Sequence, residues 1–373
     1  MIKYAAAIEL LASSKPGCEN QNGDKRVNAL QRLKLSYNRW VASYNYKCCD
    51  EVDDVLKRPF INTGYRHERA SFIYYLKSIL TPNNESVNVW THFLPFLYFV
   101  YRIYNFMRSE DDPFAVLNYP YYVHGIGVCA VLLISTIAHT FCSCSAICSK
   151  SCFGADYAAI YCYGISCLIP FEFYLCPMSH NCQGPTAVNY LTFMCIFSLL
   201  ATFATLFSDY SSRSPIPGFR TVTYVFGIGT VYTPCVVRYF IYSFEHTHPS
   251  YFIGHDYSLT FLLSTLCLII AAFFYTQRLP ERWYTGKFDI IGHSHNLFHM
   301  LSALAMYMQN VLLANVLEDV KQGIKDGYFS EEHFNISWQA TLGAYILLLV
   351  STNLVVGVYA IVLRKDRSKA KCK

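Results

Sequence analysis

Eight long apolar runs, each almost free of charge, limit what this chain can fold into more than any other feature of its sequence. A bilayer offers no water to satisfy backbone polar groups, so uncharged apolar runs of about 20 residues read as spanning helices. They lie at Val87–Met107, Tyr121–Ser143, Asp156–Cys176, Asn189–Ser208, Thr221–Tyr242, Ser258–Tyr275, Asp289–Leu312 and Trp338–Leu363. Of the 373 residues 53% are apolar and 15% charged, and the charges gather at the ends and in short connectors, unlike those of a soluble globular chain. The expected fold is an all-α polytopic membrane protein, a bundle of seven core transmembrane helices plus an eighth. Residues 1–86 are expected as a cytosolic amino-terminal region, 87–363 as the bundle and 364–373 as a basic cytosolic tail.

Orientation follows from the basic residues. Thirteen Lys and Arg, from Lys3 to Lys77, precede the first run, and six more lie between Arg364 and Lys373. Lys150, Arg213, Arg220, Arg278, Arg282 and Lys287 fall in connectors on the same side. The opposite side holds Arg108, Lys321 and Lys325, the last two outnumbered by Glu318, Asp319, Asp326, Glu331 and Glu332. The positive-inside rule then predicts that both termini are cytosolic. The net charge of +5 thereby belongs to topology and not to nucleic-acid binding.

Half of the sixteen cysteines fall within the runs, where Cys is a small apolar residue. Cys142, Cys144, Cys148 and Cys152 cluster at the cytosolic end of the second run, where thiols stay reduced; palmitoylation is their expected fate, with zinc binding the lesser reading. Cys176 and Cys182 flank an outward loop and are the one pair considered for a disulfide. The sequons at Asn84 and Asn335 are poor acceptors, the first being cytosolic and the second abutting a span.

Ionisable groups inside spans are costly and usually face the bundle interior. The second run ends at the cytosolic face with Ser135 and His139, the third is expected to open there with Asp156, and the seventh with Asp289, His293, His295 and His299. The first opens at the same depth with Glu85, Asn88, Thr91 and His92. His295 and His299, four apart, share a helix face, and His139 adds an imidazole from a second helix. Three imidazoles with a fourth position open to water are the ligand set of a catalytic zinc site. His293, two residues from His295, points elsewhere and is left out. Glu85 is expected to complement the helix dipole with Asn84 as its cap. Arg238, beyond Pro234, is expected to snorkel.

These residues resemble the progestin and adipoQ receptor family. Gly64-Tyr65-Arg66 is similar to its Gly-Tyr-Arg segment, and Glu85 to His92 to its Glu-x-x-Asn-x-x-Thr-His motif. Ser135 with His139, then Asp156, then His295 with His299 resemble the motifs of its second, third and seventh helices. Ala158-Ala159 departs from the small Ser-Gly pair of the family. The eighth run and the Asp289 to His295 stretch resemble the membrane progestin receptor branch more than the adiponectin branch. The resemblance implies zinc on His139, His295 and His299, with Asp156 and Ser135 as candidate catalytic groups. It implies a receptor in the plasma membrane for a steroid or other apolar ligand, surrounded by membrane lipids and signalling to an intracellular partner such as a G protein. The alternative it leaves open is an intramembrane zinc-dependent lipid amide hydrolase, similar to a ceramidase.

Overall fold

Every apolar run that falls on described residues forms a helix over most of its length. The computed structural model describes residues 36, 38–175, 185–210, 257–328 and 330–371. The fifth run, Pro234, Arg238 and the Cys176–Cys182 pair lie outside them. The chain divides into two compact units, Met1–Asn45 and Tyr46–Lys373, and the membrane helices belong to the second.

A short helix α1 (Phe72–Ser78) precedes α2 (Ser86–Ser109), α3 (Tyr119–Phe141) and α4 (Ala146–Pro170), the last continuing through a π-helical turn to Leu175. Then come α5 (Pro185–Tyr210), α6 (Tyr257–Gln277), α7 (Ser294–Lys325) and α8 (Ala344–Lys371). Among the described residues no strand forms, only an isolated antiparallel bridge between Lys47 and Tyr65. Helices α3 to α8 are each long and apolar enough to cross a membrane. Helix α2 has 24 residues, about 36 Å of rise. Its Leu94, Leu97, Val100 and Tyr101 are exposed while Asn88, His92 and Phe99 are buried, so its polar stripe faces inward.

Helix α3 packs on α2 and α4, α4 on α5 and α8, and α7 on α6, α2 and α3. The close approach of α3 and α4 depends on Gly127, where a Cβ would meet Ser166 Oγ at 2.1 Å. The most apolar window of α4 is 72% buried against 17% for α6 and α8. The last two instead expose Leu262, Ile269, Phe273, Leu347, Leu354 and Val358. Apolar side chains that no protein covers are what a lipid environment stabilises.

Two expected boundaries move. Asp156 does not open the third span: α4 starts at Ala146, where the Ser145 side chain accepts from Cys148 N at 3.2 Å as an N-cap. Asp156 thus lies almost three turns inside the helix. Nor does the seventh helix begin at Asp289. Gly292, at φ +86°, turns the chain, and α7 starts only at Ser294 with His293 as N-cap. It runs on to Lys325, carrying Glu318, Asp319 and Lys321, which composition had assigned to a connector.

Candidate metal centre

The site forms where the last turn of α3 meets the first turns of α2 and α7. His139 ends α3, and His295 and His299 lie one turn apart on α7. These three residues each offer a ring nitrogen within 4.8 Å of the others; His139 and His299 are buried and His295 half-buried. His139 Nε2 is 3.1 Å from His295 Nε2. Two nitrogens on a tetrahedral zinc, at the usual bond length of about 2.0–2.1 Å, lie about 3.3 Å apart, so the donor set fits such an ion.

Two of the three opposite ring nitrogens are held. His139 Nδ1 is 2.7 Å from Glu85 Oε2. His299 Nδ1 is 3.1 Å from the Asn88 carbonyl and 3.3 Å from Thr91 Oγ1. Donation from Nδ1 to a carboxylate or carbonyl fixes the ring and leaves Nε2 bare for a cation, the pattern that supports metal-binding histidines. The Glu85 carboxylate also accepts from Asn88 Nδ2 at 2.8 Å and Arg58 Nε at 3.3 Å. Asn88 Oδ1 accepts from Asn296 Nδ2 at 2.6 Å, and Asn296 Oδ1 from Gly292 N at 2.8 Å. One polar chain therefore runs from the start of α7 through α2 to His139.

Two further anchors set the helix ends. Arg66, fully buried, donates to the carbonyls of Thr140 at 2.7 Å and His139 at 2.6 Å, satisfying the free end of α3. Glu281 accepts from Ser294 N at 2.7 Å and from its hydroxyl, so a carboxylate complements the α7 amino terminus. Gly64 carries Tyr65 and Arg66 into place: it adopts φ +86°, and a Cβ there would meet Asn84 N at 3.0 Å. The Tyr65 hydroxyl donates to the Ile61 carbonyl at 3.0 Å; burial pushes its pKa up to about 12, so it remains a neutral donor.

Asp156 Oδ2 comes within 4.0 Å of His139 Nε2. Ser135, one turn before His139, is buried on the side of the Asp156 carboxylate. A cavity of about 360 Å³ adjoins the site and is lined by Arg58, Glu85, His139, Asp156, Tyr275 and His295 among others. His293 stands apart from the triad, with Nε2 3.3 Å from the Asn84 carbonyl. His92 stacks on the His299 ring at 3.7 Å between centroids.

The cap assigned to Asn84 is a correction. Glu85 itself is the N-cap residue of α2, and its backbone N–H is taken by Asn83 Oδ1 at 3.0 Å. Its side chain makes no cap hydrogen bond, because it is turned to His139 and Arg58. The sequence missed Glu281 and the Glu85–His139 contact, since neither pairing has a local spacing. The Glu-x-x-Asn step of three residues was the available signal for the Glu85–Asn88 bond.

Taken together, these features define a polytopic helical membrane protein with a three-histidine group at one end of its bundle. The haemolysin-III-related family profile matches residues 80–310, and the chain belongs to that family, the progestin and adipoQ receptors. It is 30% identical over 270 residues to membrane progestin receptor gamma of Mus musculus, covering 70% of this chain and 78% of the relative. It is 28% identical over 324 residues to membrane progestin receptor delta of the same species, covering 83% and 88%. It is 28% identical over 269 residues to the alpha receptor of Homo sapiens, covering 69% and 73%.

Proposed function

We propose that the chain is a plasma-membrane receptor for a steroid or other apolar ligand, with zinc on His139, His295 and His299 at the cytosolic face. The observation that carries the zinc assignment is the convergence of three imidazoles, two of which, His139 and His299, have their other ring nitrogen engaged by a neighbouring oxygen. Relatives named membrane progestin receptors, similar along most of the chain, support the receptor assignment. When bound, zinc supplies Lewis acidity. The chain's own part is to orient the rings, through Glu85 on His139 and Asn88 on His299. In this reading a signalling partner of the G-protein kind engages the cytosolic face.

A second reading, hydrolysis of a lipid amide, is favoured by the approach of Asp156 to His139 and by the adjoining cavity. There Asp156 would accept a proton from water in the cavity, and Ser135 would donate a hydrogen bond.

The test pairs saturable binding of a progestin with release of fatty acid from ceramide, both on protein in lipid vesicles. The receptor reading expects binding that survives Asp156→Asn, and no fatty acid above a zinc-free control. Absence of saturable binding overturns it. Turnover that falls by about 10²–10⁴ in Asp156→Asn, with zinc retained, replaces it with the hydrolase.

A further inference from the structure

Helix α8 has two faces of different character. Its inner face carries Tyr345, Leu348, Thr352 and Tyr359, all buried, and packs on α4 and α5. Thr352 meets a polar partner there, accepting from the Cys162 thiol at 3.4 Å. Asn353, the next residue, turns about 100° away along the helix and is exposed. The apolar run that α8 realises is Trp338–Leu363, so Asn353 lies within about 4 Å of its midpoint at 1.5 Å of rise per residue.

A carboxamide facing outward at mid-bilayer depth is costly unless something pairs with it. The hydrocarbon core holds no water, and polar side chains in spans ordinarily bond to a neighbouring helix. Asn353 Nδ2 donates to the Leu349 carbonyl at 2.7 Å, its one hydrogen bond among the described residues. A second N–H and the oxygen are left over, and lipid chains can satisfy neither. The residues around it form a seam. Ile346, Val350, Asn353, Gly357 and Ile361 recur at steps of three and four, are all exposed, and share one face about 22 Å long. That face is turned away from Tyr345 and Thr352. At Gly357 an added Cβ would meet no atom within 4 Å, so the backbone of a neighbouring helix has room to come close.

We infer that this seam docks on the same seam of a second copy of the chain, as a parallel two-fold contact of α8 with α8 in which the two Asn353 side chains bond to each other. A carboxamide is its own complement, since each donates an N–H and accepts at its oxygen. A second copy inserted in the same orientation brings the identical group to the identical depth, which no lipid does. Steps of three and four are the spacing of left-handed helix pairs, and a single Asn in such a seam fixes register and strand number. The contact is isologous and closes on itself. Because α8 packs on α4 and α5, whereas the histidines lie on α3 and α7, the contact stands independently of the metal.

The test is energy transfer between full-length chains labelled with donor or acceptor at the carboxyl end, in phosphatidylcholine vesicles of increasing lipid content. Transfer should exceed that of randomly mixed monomers and fall as lipid dilutes the chains. Asn353→Leu should weaken association about 10-fold, the worth of one interhelical hydrogen bond. Gly357→Leu should weaken it by separating the backbones, Asn353→Gln should retain most of it, and Leu347→Ala, off the seam, should leave it unchanged. Wild-type transfer at the level of random mixing overturns the proposal, as does association that survives both Asn353→Leu and Gly357→Leu. A second measurement guards against misfolded variants: a benzophenone amino acid replacing Ile346, with the rest of the seam intact, should crosslink one copy to another on illumination. Adducts with lipid alone, or with a different protein in native membranes, contradict the contact.

Discussion

Two layers of the bundle bury histidine, and they use it differently. Around His139, His295 and His299, the Nδ1 atoms of His139 and His299 meet oxygens outside the group, while the His139 and His295 Nε2 atoms turn toward each other. About 22 Å further along α3, His124 is fully buried beside Cys167, its Nδ1 3.9 Å from that sulfur. There the Gln309 side-chain oxygen accepts from Tyr163 and, at 3.5 Å, from Cys167. Nearby Asn310 accepts from Arg102 at 3.2 Å and Tyr121 at 3.4 Å. This second layer joins helices by pairs of unlike polar groups, the ordinary glue of membrane bundles. The comparison teaches that burial of an imidazole in a membrane does not by itself mark a site. Convergence does, together with oxygens that settle which ring nitrogen is bare.

The contrast can be broken experimentally, beginning with the largest effect. Substituting Ala at His139, His295 or His299 should abolish or sharply lower bound metal, and with it the stabilisation by linkage, about 2.7 kcal/mol at a metal concentration 100-fold above Kd. Thermal unfolding with and without added zinc reads this directly; the same stabilisation by zinc in all three variants would dissolve the distinction between the layers. Glu85→Ala should weaken metal affinity by about 10–100-fold, because His139 loses the carboxylate that orients it. Glu85→Gln should recover part of that, and a chelator titration ranks the three proteins.

Smaller effects sharpen the comparison. Asp289 Oδ2 accepts from both Thr63 N at 2.9 Å and Thr63 Oγ1 at 2.8 Å, tying the amino-terminal arm to the approach of α7. Asp289→Ala should cost about 1.5–3 kcal/mol for bonds to a charged acceptor and leave metal content unchanged, as read by unfolding and metal analysis. In the second layer, Gln309→Leu should cost only about 0.6 kcal/mol with no change in metal. A loss of metal in that variant would mean that the layers are coupled.

Much of this was legible in the sequence because bilayer physics is one-dimensional. Apolar length found the helices, and a four-residue step put His295 and His299 on one face. Topology alone brought His139 to their depth. Helix starts were less legible, since Asp156 and Asp289 looked like openings when each only marked polar residues near the same face. The true starts were set by Ser145 as a cap and by Gly292 with Glu281, which depend on backbone geometry and on a residue 13 positions away. The Glu85–His139 contact spans 54 residues and has no periodicity to betray it.

The central claim is a cation held by three histidines. The most direct measurement is the zinc content of purified protein, comparing His293→Ala with the His139→Ala/His295→Ala/His299→Ala variant. Taking the difference between the two cancels any cation bound elsewhere on the chain. The account predicts about one zinc per chain fewer in the triple variant, with His293→Ala matching the wild type. Equal zinc in both variants would contradict it.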